Sequence, residues 1–321
     1  MVFFRIMGFM PSNSAPPAPV REVVRPTTFI EATRLGRRLG VTLTLASETF
    51  QHTGSFKFRA AYHVASQTAQ RRLIAASSGN FGQGLAFACQ LLGKSCFVVM
   101  PDSSAQTKVD AVREFGGKVE LIDVTRITRA ARVRELAAVH PDAYVASPYD
   151  DPLVIEGNAT LGEELAASGK PFDSIIAPVG GGGLTSGILR GLRARGSPVR
   201  VFGAEPELAN DAARSLRSGF LVANDTEPQT IADGVRTLSL GQLNWAILRE
   251  GLEGIVEVSE DQIKESVRLL FALANLKVEP TGALSVAVLL AAPKLFSGRK
   301  VCCVVSGGNV DAELFRHILA G

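Results

Sequence analysis

The chain has few of the residues that usually carry metal or redox chemistry. Its 321 residues include four histidines, four cysteines, four methionines and one tryptophan. The cysteines, Cys89, Cys96, Cys302 and Cys303, form no CxxC pair and join no His/Cys cluster with zinc spacing. Their apolar neighbours make them expected reduced core thiols of a cytoplasmic protein. Charge of one sign is also scarce: 34 basic residues against 31 acidic ones leave +3, too little and too evenly spread for a nucleic-acid partner. No apolar run spans a membrane. The longest, "ALSVAVLLAA", falls far short of about 20 residues. The opening "MVFFRIMGFM" is interrupted by Arg5 and followed by no clear cleavage site. Residues 1–19 are therefore expected to be a disordered or mis-assigned tail, with Met7 or Met10 the true start in the second case.

What remains is 46% hydrophobic and 20% charged, the composition of a globular chain. From Pro26 onward, strand-like and helix-like stretches alternate. "VTLTLASE", "RLIAASS", "SCFVVMP", "KVELID", "SIIAPVG", "VRVFGAEP" and "KVCCVVSGG" read as strands. Between them lie helical stretches such as "GSFKFRAAYHVASQ", starting at Gly54 or Ser55, and "SEDQIKESVRLLFALANL", opened by a capping box at Ser259 and Gln262. This alternation predicts an α/β protein with largely parallel sheets covered on both faces.

Three strand-to-helix turns are rich in Ser, Gly and Asn: "SSGNFGQG" (Ser77–Gly84), "VGGGGLTSG" (Val179–Gly187) and "VSGGNVD" (Val305–Asp311). Such turns point backbone N–H groups outward at the positive end of a helix, where a phosphate or carboxylate binds. Three in one chain imply a ligand with more than one anionic or polar group. Gly180–Gly183 is the strongest phosphate cup, because four consecutive N–H groups converge only where no Cβ intervenes. A dinucleotide reading competes, since Gly181, Gly183 and Ser186 match a degraded G-x-G-x-x-G with Glu205 as the ribose acid. It leaves Lys57 and the other two turns unexplained. A Walker A reading fails, because no Gly-Lys-Ser/Thr follows.

The stretches "TGSFKFRAA", "SSGNFGQG", "GGGGL", "EPELAND", "IADGV", "EPTGA" and "SGGN" occur in this order. Together they resemble the pyridoxal-phosphate enzymes of the second fold type, in particular serine/threonine dehydratases and serine racemase. The resemblance runs from about Arg25 to the C-terminus. It implies two open, twisted, largely parallel sheets, with a large cofactor domain (20–68 plus 148–321), a small mobile domain (69–147) and a homodimer. Lys57 would hold the cofactor aldehyde as an imine, with burial beside Phe56 and Phe58 favouring its neutral amine. Gly180, Gly181, Gly182, Gly183 and Leu184 would hold the cofactor phosphate. Asn80 would meet the ring hydroxyl, Glu279 would lie near the ring and Ser306 would face the ring nitrogen. A neutral hydroxyl at that nitrogen gives a weaker electron sink than a carboxylate, which suits β-elimination better than transamination.

Ser78 aligns with the racemase acid/base, and reads equally as a helix cap or a carboxylate donor. Ser77, Gly79 and Asn80 would offer N–H groups to the substrate carboxylate. Glu205 and Asp211, with the Ala209 carbonyl, resemble the family's site for a hard cation such as Mg2+ or Ca2+. The implied reaction is dehydration and deamination of a β-hydroxy amino acid such as serine, threonine, 3-hydroxyaspartate or phenylserine, giving a 2-oxo acid and ammonia. Racemisation and cysteine-synthase-like β-replacement are the alternatives; a non-catalytic binding protein is disfavoured. Departures from the family pattern at His52, Phe81, Tyr149 and Asn158 fall where the substrate side chain is expected. Phe81 and Tyr149 would suit a bulkier substrate, while Arg126 or Arg129 would meet a second carboxylate unless they simply form a solvated basic helix face.

Overall fold

The computed structural model describes residues 17–77, 79–104 and 106–321. The tail assigned to residues 1–19 thus lies almost wholly outside the described residues. The chain opens with α1 (Val20–Val23), edge strand β1 (Thr28–Glu31), α2 (Thr33–Leu39) and β2 (Thr42–Ser47). Next come α3 (Lys57–Gln67), β3 (Arg72–Ala76), α4 (Asn80–Leu91), β4 (Ser95–Pro101), α5 (Gln106–Glu114), β5 (Lys118–Ile122), α6 (Arg129–Val139) and β6 (Tyr144–Val145). After α7 (Pro152–Ala167) the chain continues through β7 (Ser174–Pro178), α8 (Gly183–Ala194), β8 (Arg200–Pro206), α9 (Asp211–Ser218) and α10 (Gln242–Gly251). It finishes with β9 (Gly254–Val258), α11 (Glu260–Ala274), α12 (Pro280–Ala291), α13 (Pro293–Phe296), β10 (Lys300–Val305) and α14 (Ala312–Ala320).

Two sheets result. The six-stranded sheet has the order β1-β2-β10-β7-β8-β9, and the four-stranded sheet β5-β4-β3-β6. All neighbours run parallel except the antiparallel edge pair β1–β2. Strands β7 and β10 are buried on both faces, as central strands of a helix-covered parallel sheet must be. Side chains alternate across β10 accordingly. Cys303 joins the core formed with α11 and α12, and Cys302 the core formed with α7 and α8. All four cysteines are unpaired and buried, as expected. No described helix is long and apolar enough to cross a membrane.

Helix α7 packs against α8 at backbone distance. A Cβ on Gly162 would strike the Ile188 carbonyl, and one on Gly191 the Ala159 carbonyl. Helix α11 carries the expected reciprocal cap, with the Ser259 hydroxyl accepting from the Gln262 N–H and the Gln262 side chain accepting from the Ser259 N–H.

One boundary differs from expectation. Helix α3 begins at Lys57 rather than at Gly54 or Ser55. Ser55 is extended (φ −160°, ψ 162°) and bridges to Gly307, and the Phe56 N–H donates to the Ser306 carbonyl at 3.0 Å. The bridge to the turn after β10 holds Ser55 extended, so helical backbone begins only after it and Lys57 sits at the helix entry.

Candidate active site

The carboxyl ends of β2, β3, β7 and β10 lead into the segments that carry the candidate residues, as open parallel sheets do. After β7 comes the glycine quartet, with Gly182 at φ 94°, a conformation that favours glycine, just before α8. Each of the four positions lacks room for a side chain. A Cβ on Gly180 would lie 2.9 Å from Val235 Cα, on Gly182 2.7 Å from Asn244 Cβ, and on Gly183 2.8 Å from the Tyr149 carbonyl oxygen. On Gly181 it would collide with the Tyr149 ring. The quartet is therefore a bare-backbone cradle at a helix N-terminus, suited to a phosphate. Tyr149 lies against it and lines, with the quartet, a cavity of about 50 Å³.

Phe56, Lys57, Leu184 and Ser306 line the same cavity as the quartet. Ser306 is 1% exposed, and its hydroxyl has no hydrogen-bond partner among the described residues. A buried polar atom without a partner is costly, and a ring nitrogen would satisfy this one. Lys57 is half-buried, with its Nζ 5.1 Å from the Phe56 ring centroid and 5.8 Å from that of Phe81. The ammonium donates to the Pro148 carbonyl at 2.7 Å. Loss of hydration lowers the Lys57 pKa to about 8, against a weaker opposing pull from Glu279. Near neutral pH the amine thus has an accessible uncharged form, which a nucleophile and base requires. The cradle and the orphaned hydroxyl both fit pyridoxal phosphate.

Asn80 and Glu279 form a second group. The Asn80 Nδ2 donates to Glu279 Oε1 at 2.8 Å, and its Oδ1 accepts from Asn309 Nδ2 at 2.8 Å. One Asn80 amide hydrogen remains for a ligand oxygen. Glu279 is 4% exposed, and burial raises its pKa to about 7, with Asp233 adding to the shift.

Several expectations need correction. The Ser77 N–H is taken by the Val99 carbonyl at 3.1 Å, and the Ser77 hydroxyl accepts from the Gly79 and Gly82 N–H groups. Ser77 therefore braces the turn and does not offer its N–H to a substrate carboxylate. Ser78 lies outside the described residues. Asn158 is 1% exposed and donates to the Gly183 carbonyl at 3.0 Å. It supports the cup from behind rather than facing a substrate. The His52 ring packs 4.9 Å from Phe58 and 5.5 Å from Phe87, with Nε2 3.2 Å from the Val23 carbonyl oxygen. It belongs to an aromatic cluster and does not line the cavity. Arg126 pairs with Asp123 at 3.2 Å with 86% of its side chain exposed. Arg129 is placed differently. It reaches Glu227 at 3.0 Å; burial raises the Tyr149 pKa, with Asp150 and Asp211 adding to the rise and Arg129 weakly opposing it. Phe81 is 1% exposed and stands beside the lysine amine.

Glu205 and Asp211 are both buried at the start of α9. Glu205 accepts from the Ala212 and Ala213 N–H groups at 3.0 and 2.8 Å, which is a helix-capping position and not a ribose site. Asp211 Oδ1 accepts from Asn224, while its buried Oδ2 has no partner among the described residues. No cluster of three or more His, Cys, Asp or Glu side chains suited to a metal occurs among the described residues.

The sequence reading missed residues that act through long-range hydrogen bonds. Asn309 joins Asn80 to the Thr53 carbonyl. Asp150 accepts from the N–H groups of Gln242 and Leu243. Asn244 donates to Tyr149 and Gly181. Arg59 is clamped between Glu48 and Glu164. Only the Asn309 turn carried a local signal.

Comparison with known proteins agrees with this geometry. Residues 20–307 match the family model described as pyridoxal-phosphate dependent enzyme. The L-threo-3-hydroxyaspartate ammonia-lyase of Pseudomonas sp is 38% identical over 299 residues, covering 92% of this chain and 93% of the relative. The serine racemase of Schizosaccharomyces pombe is 32% identical, covering 94% of each chain. Among solved structures, the T.th. threonine deaminase superposes with a TM-score of 0.86 at 40% identity, covering 91% of this chain and 95% of that one. With the family model spanning nearly the whole chain and its cradle, lysine and hydroxyl gathered at one cavity, this chain belongs to the pyridoxal-phosphate-dependent enzymes of the second fold type.

Proposed function

We propose that the chain removes water and ammonia from a β-hydroxy amino acid, with 3-hydroxyaspartate as its preferred substrate. The observation that carries the reaction type is the Lys57 amine, with its pKa lowered to about 8, in a cavity shared with the glycine quartet and Ser306. Bound pyridoxal phosphate supplies an aldehyde for amino groups and a ring that draws electrons from the substrate α-carbon. The N–H groups of Gly180–Gly183 would hold its phosphate, with Leu184 lining the same cavity. Ser306 would present a neutral hydroxyl to the ring nitrogen, and Asn80, oriented by Glu279 and Asn309, would offer its remaining N–H to the ring hydroxyl. The freed Lys57 amine takes the α-proton. Loss of the β-hydroxyl as water leaves an enamine, which takes up water and releases a 2-oxo acid and ammonia. The Asn80 backbone would face the substrate carboxylate, with Gly79, whose N–H bonds the Ser77 hydroxyl, shaping the turn beside it, and Phe81 and Tyr149 would exclude water.

The preference for a dicarboxylate rests on Arg129 and on the hydroxyaspartate activity named for the Pseudomonas relative. Arg129 and Glu227 are 34% and 52% exposed, so their pair is weak and the guanidinium fork keeps free donors for a substrate carboxylate. Arg129→Met is expected to lower kcat/KM for 3-hydroxyaspartate by about 10–100-fold, the worth of a charge-assisted hydrogen bond, and that for serine by less than about threefold. Ammonia release across serine, threonine, 3-hydroxyaspartate and phenylserine reads both values. Equal loss on serine and 3-hydroxyaspartate contradicts the role given to Arg129. Contacts that cross from segment 69–147 to the rest of the chain include Asn80–Glu279, Asn80–Asn309, Lys108–Asp233 and Arg129–Glu227. In this reading that segment is the small mobile domain, and these contacts form the seam along which it closes.

Glu205, Asp211 and the Ala209 carbonyl hold a hard divalent cation, Mg2+ or Ca2+, away from the chemistry. The unpartnered Asp211 Oδ2 fits such a ligand set. Trp245, the chain's one tryptophan, packs in the same cluster as Ala212 and serves as reporter. Chelation should lower Tm and shift tryptophan fluorescence, and Mg2+ or Ca2+ should restore both, but not in Asp211→Asn. No response to chelator or cation in the wild type overturns the assignment.

A further inference from the structure

Asn244 is the third residue of α10 and is fully buried. Its side-chain amide has two hydrogens, and the structure gives it two acceptors. Nδ2 donates to the Gly181 carbonyl at 2.8 Å and to the Tyr149 carbonyl at 3.0 Å. The first acceptor is inside the glycine quartet. The second is one residue beyond Pro148, whose carbonyl takes the Lys57 ammonium at 2.7 Å. Neighbouring contacts repeat the arrangement. The Gly241 N–H also donates to the Gly181 carbonyl, at 3.1 Å. On the other side, the Asp150 carboxylate accepts from the Gln242 and Leu243 N–H groups at 3.0 and 3.1 Å. The start of α10 is thus bonded at once to the quartet and to the loop that anchors the lysine.

We propose that Asn244 is a positioning residue that sets the span between the phosphate cup and the Lys57 amine. The two points it ties are those that must grip opposite ends of one rigid cofactor, through its phosphate and its aldehyde. A ligand held at both ends is sensitive to that span, and a ligand held only at the aldehyde end is not. This inference rests on the proposed phosphate role of Gly180–Gly183.

The test measures binding of pyridoxal phosphate and of phosphate-free pyridoxal to the cofactor-free full-length protein, by the absorbance change on reaction with Lys57. In Asn244→Ala, affinity for pyridoxal phosphate should fall by about 10–100-fold, as expected when hydrogen bonds to two buried carbonyls are lost. Affinity for pyridoxal should change by less than about threefold. Asn244→Leu keeps the side chain's branched shape and removes its hydrogen-bonding groups. It should behave like the alanine variant, and it carries the test if that variant does not fold. Equal weakening of both ligands would mark Asn244 as merely structural and overturn the proposal, as would no change in either. Gly181→Ala separates the underlying reading: if it keeps the preference for the phosphorylated ligand, the phosphate role of the quartet fails. If Gly181→Ala loses that preference while the Asn244 variants keep it, only the Asn244 role fails.

Discussion

Replacing Lys57 with alanine is expected to lower ammonia release by at least about 10⁴-fold, because one side chain supplies both the cofactor's attachment and the base for the α-proton. The amine is set up for this by its surroundings rather than by its own chemistry. Phe56 and Phe81 flank it, the Pro148 carbonyl holds it, and its pKa is lowered to about 8 mainly by burial. An aldehyde is attacked by the neutral amine, so the rate of pyridoxal phosphate uptake by the cofactor-free protein should climb with pH and level off above about 8. An ordinary lysine would keep gaining neutral form toward its reference value near 10.4. Uptake that still rises steeply between pH 9 and 10 contradicts the lowered pKa. Retained activity in Lys57→Ala contradicts the catalytic role.

Arg59→Met is expected to destabilise the protein by about 3–5 kcal/mol, the usual result of leaving a buried charge unpaired, with Tm lowered on the order of 10 °C. The Arg59 side chain is fully buried two residues after Lys57 on α3. Its guanidinium donates to Glu48 at 2.7 and 2.9 Å, to Glu164 at 2.7 and 3.1 Å, and to the hydroxyls of Thr160 and Thr27 at 3.0 Å each. These partners lie just past β2, on α7 and in the segment before β1, so one side chain binds the lysine helix to three others. Burial alone would raise the Glu164 pKa, and Arg59 more than offsets it, so the carboxylate stays ionised. Glu48 is itself 1% exposed and has no route to solvent. Arg59→Lys keeps the charge but not the planar fork, and should recover only part of the loss. A thermal melt of Arg59→Met within about 2 °C of wild type contradicts the account.

Much of the site is legible in the sequence because its chemistry is local. Four glycines in a row after a strand have few uses other than a backbone cradle, and a lysine between phenylalanines stands out once such a cradle is present. The strands are legible for the same reason, since buried parallel strands are short β-branched runs. Residues that act through distant partners leave no local mark. Asn244 looks like an ordinary helix asparagine until Gly181, 63 positions away, is brought to it. Arg59 reads as a helix arginine until Glu164, 105 positions away, closes on it. Ser77 and Asn158 mislead for the converse reason: both stand beside the expected pocket in sequence, but the β3–β4 ladder and the start of α8 claim their polar groups. The first turn of α3 starts later than its sequence suggests because a bridge to the far end of the chain, Ser55 to Gly307, holds the backbone extended there.

The most direct measurement of the central claim is the product balance for the wild-type protein with pyridoxal phosphate and L-threo-3-hydroxyaspartate. Loss of water and ammonia predicts one ammonia and one 2-oxo acid, oxaloacetate, for each substrate consumed, with no added nucleophile. Consumption of substrate without ammonia, or no 2-oxo acid until a thiol or sulfide is supplied, would contradict elimination and favour β-replacement.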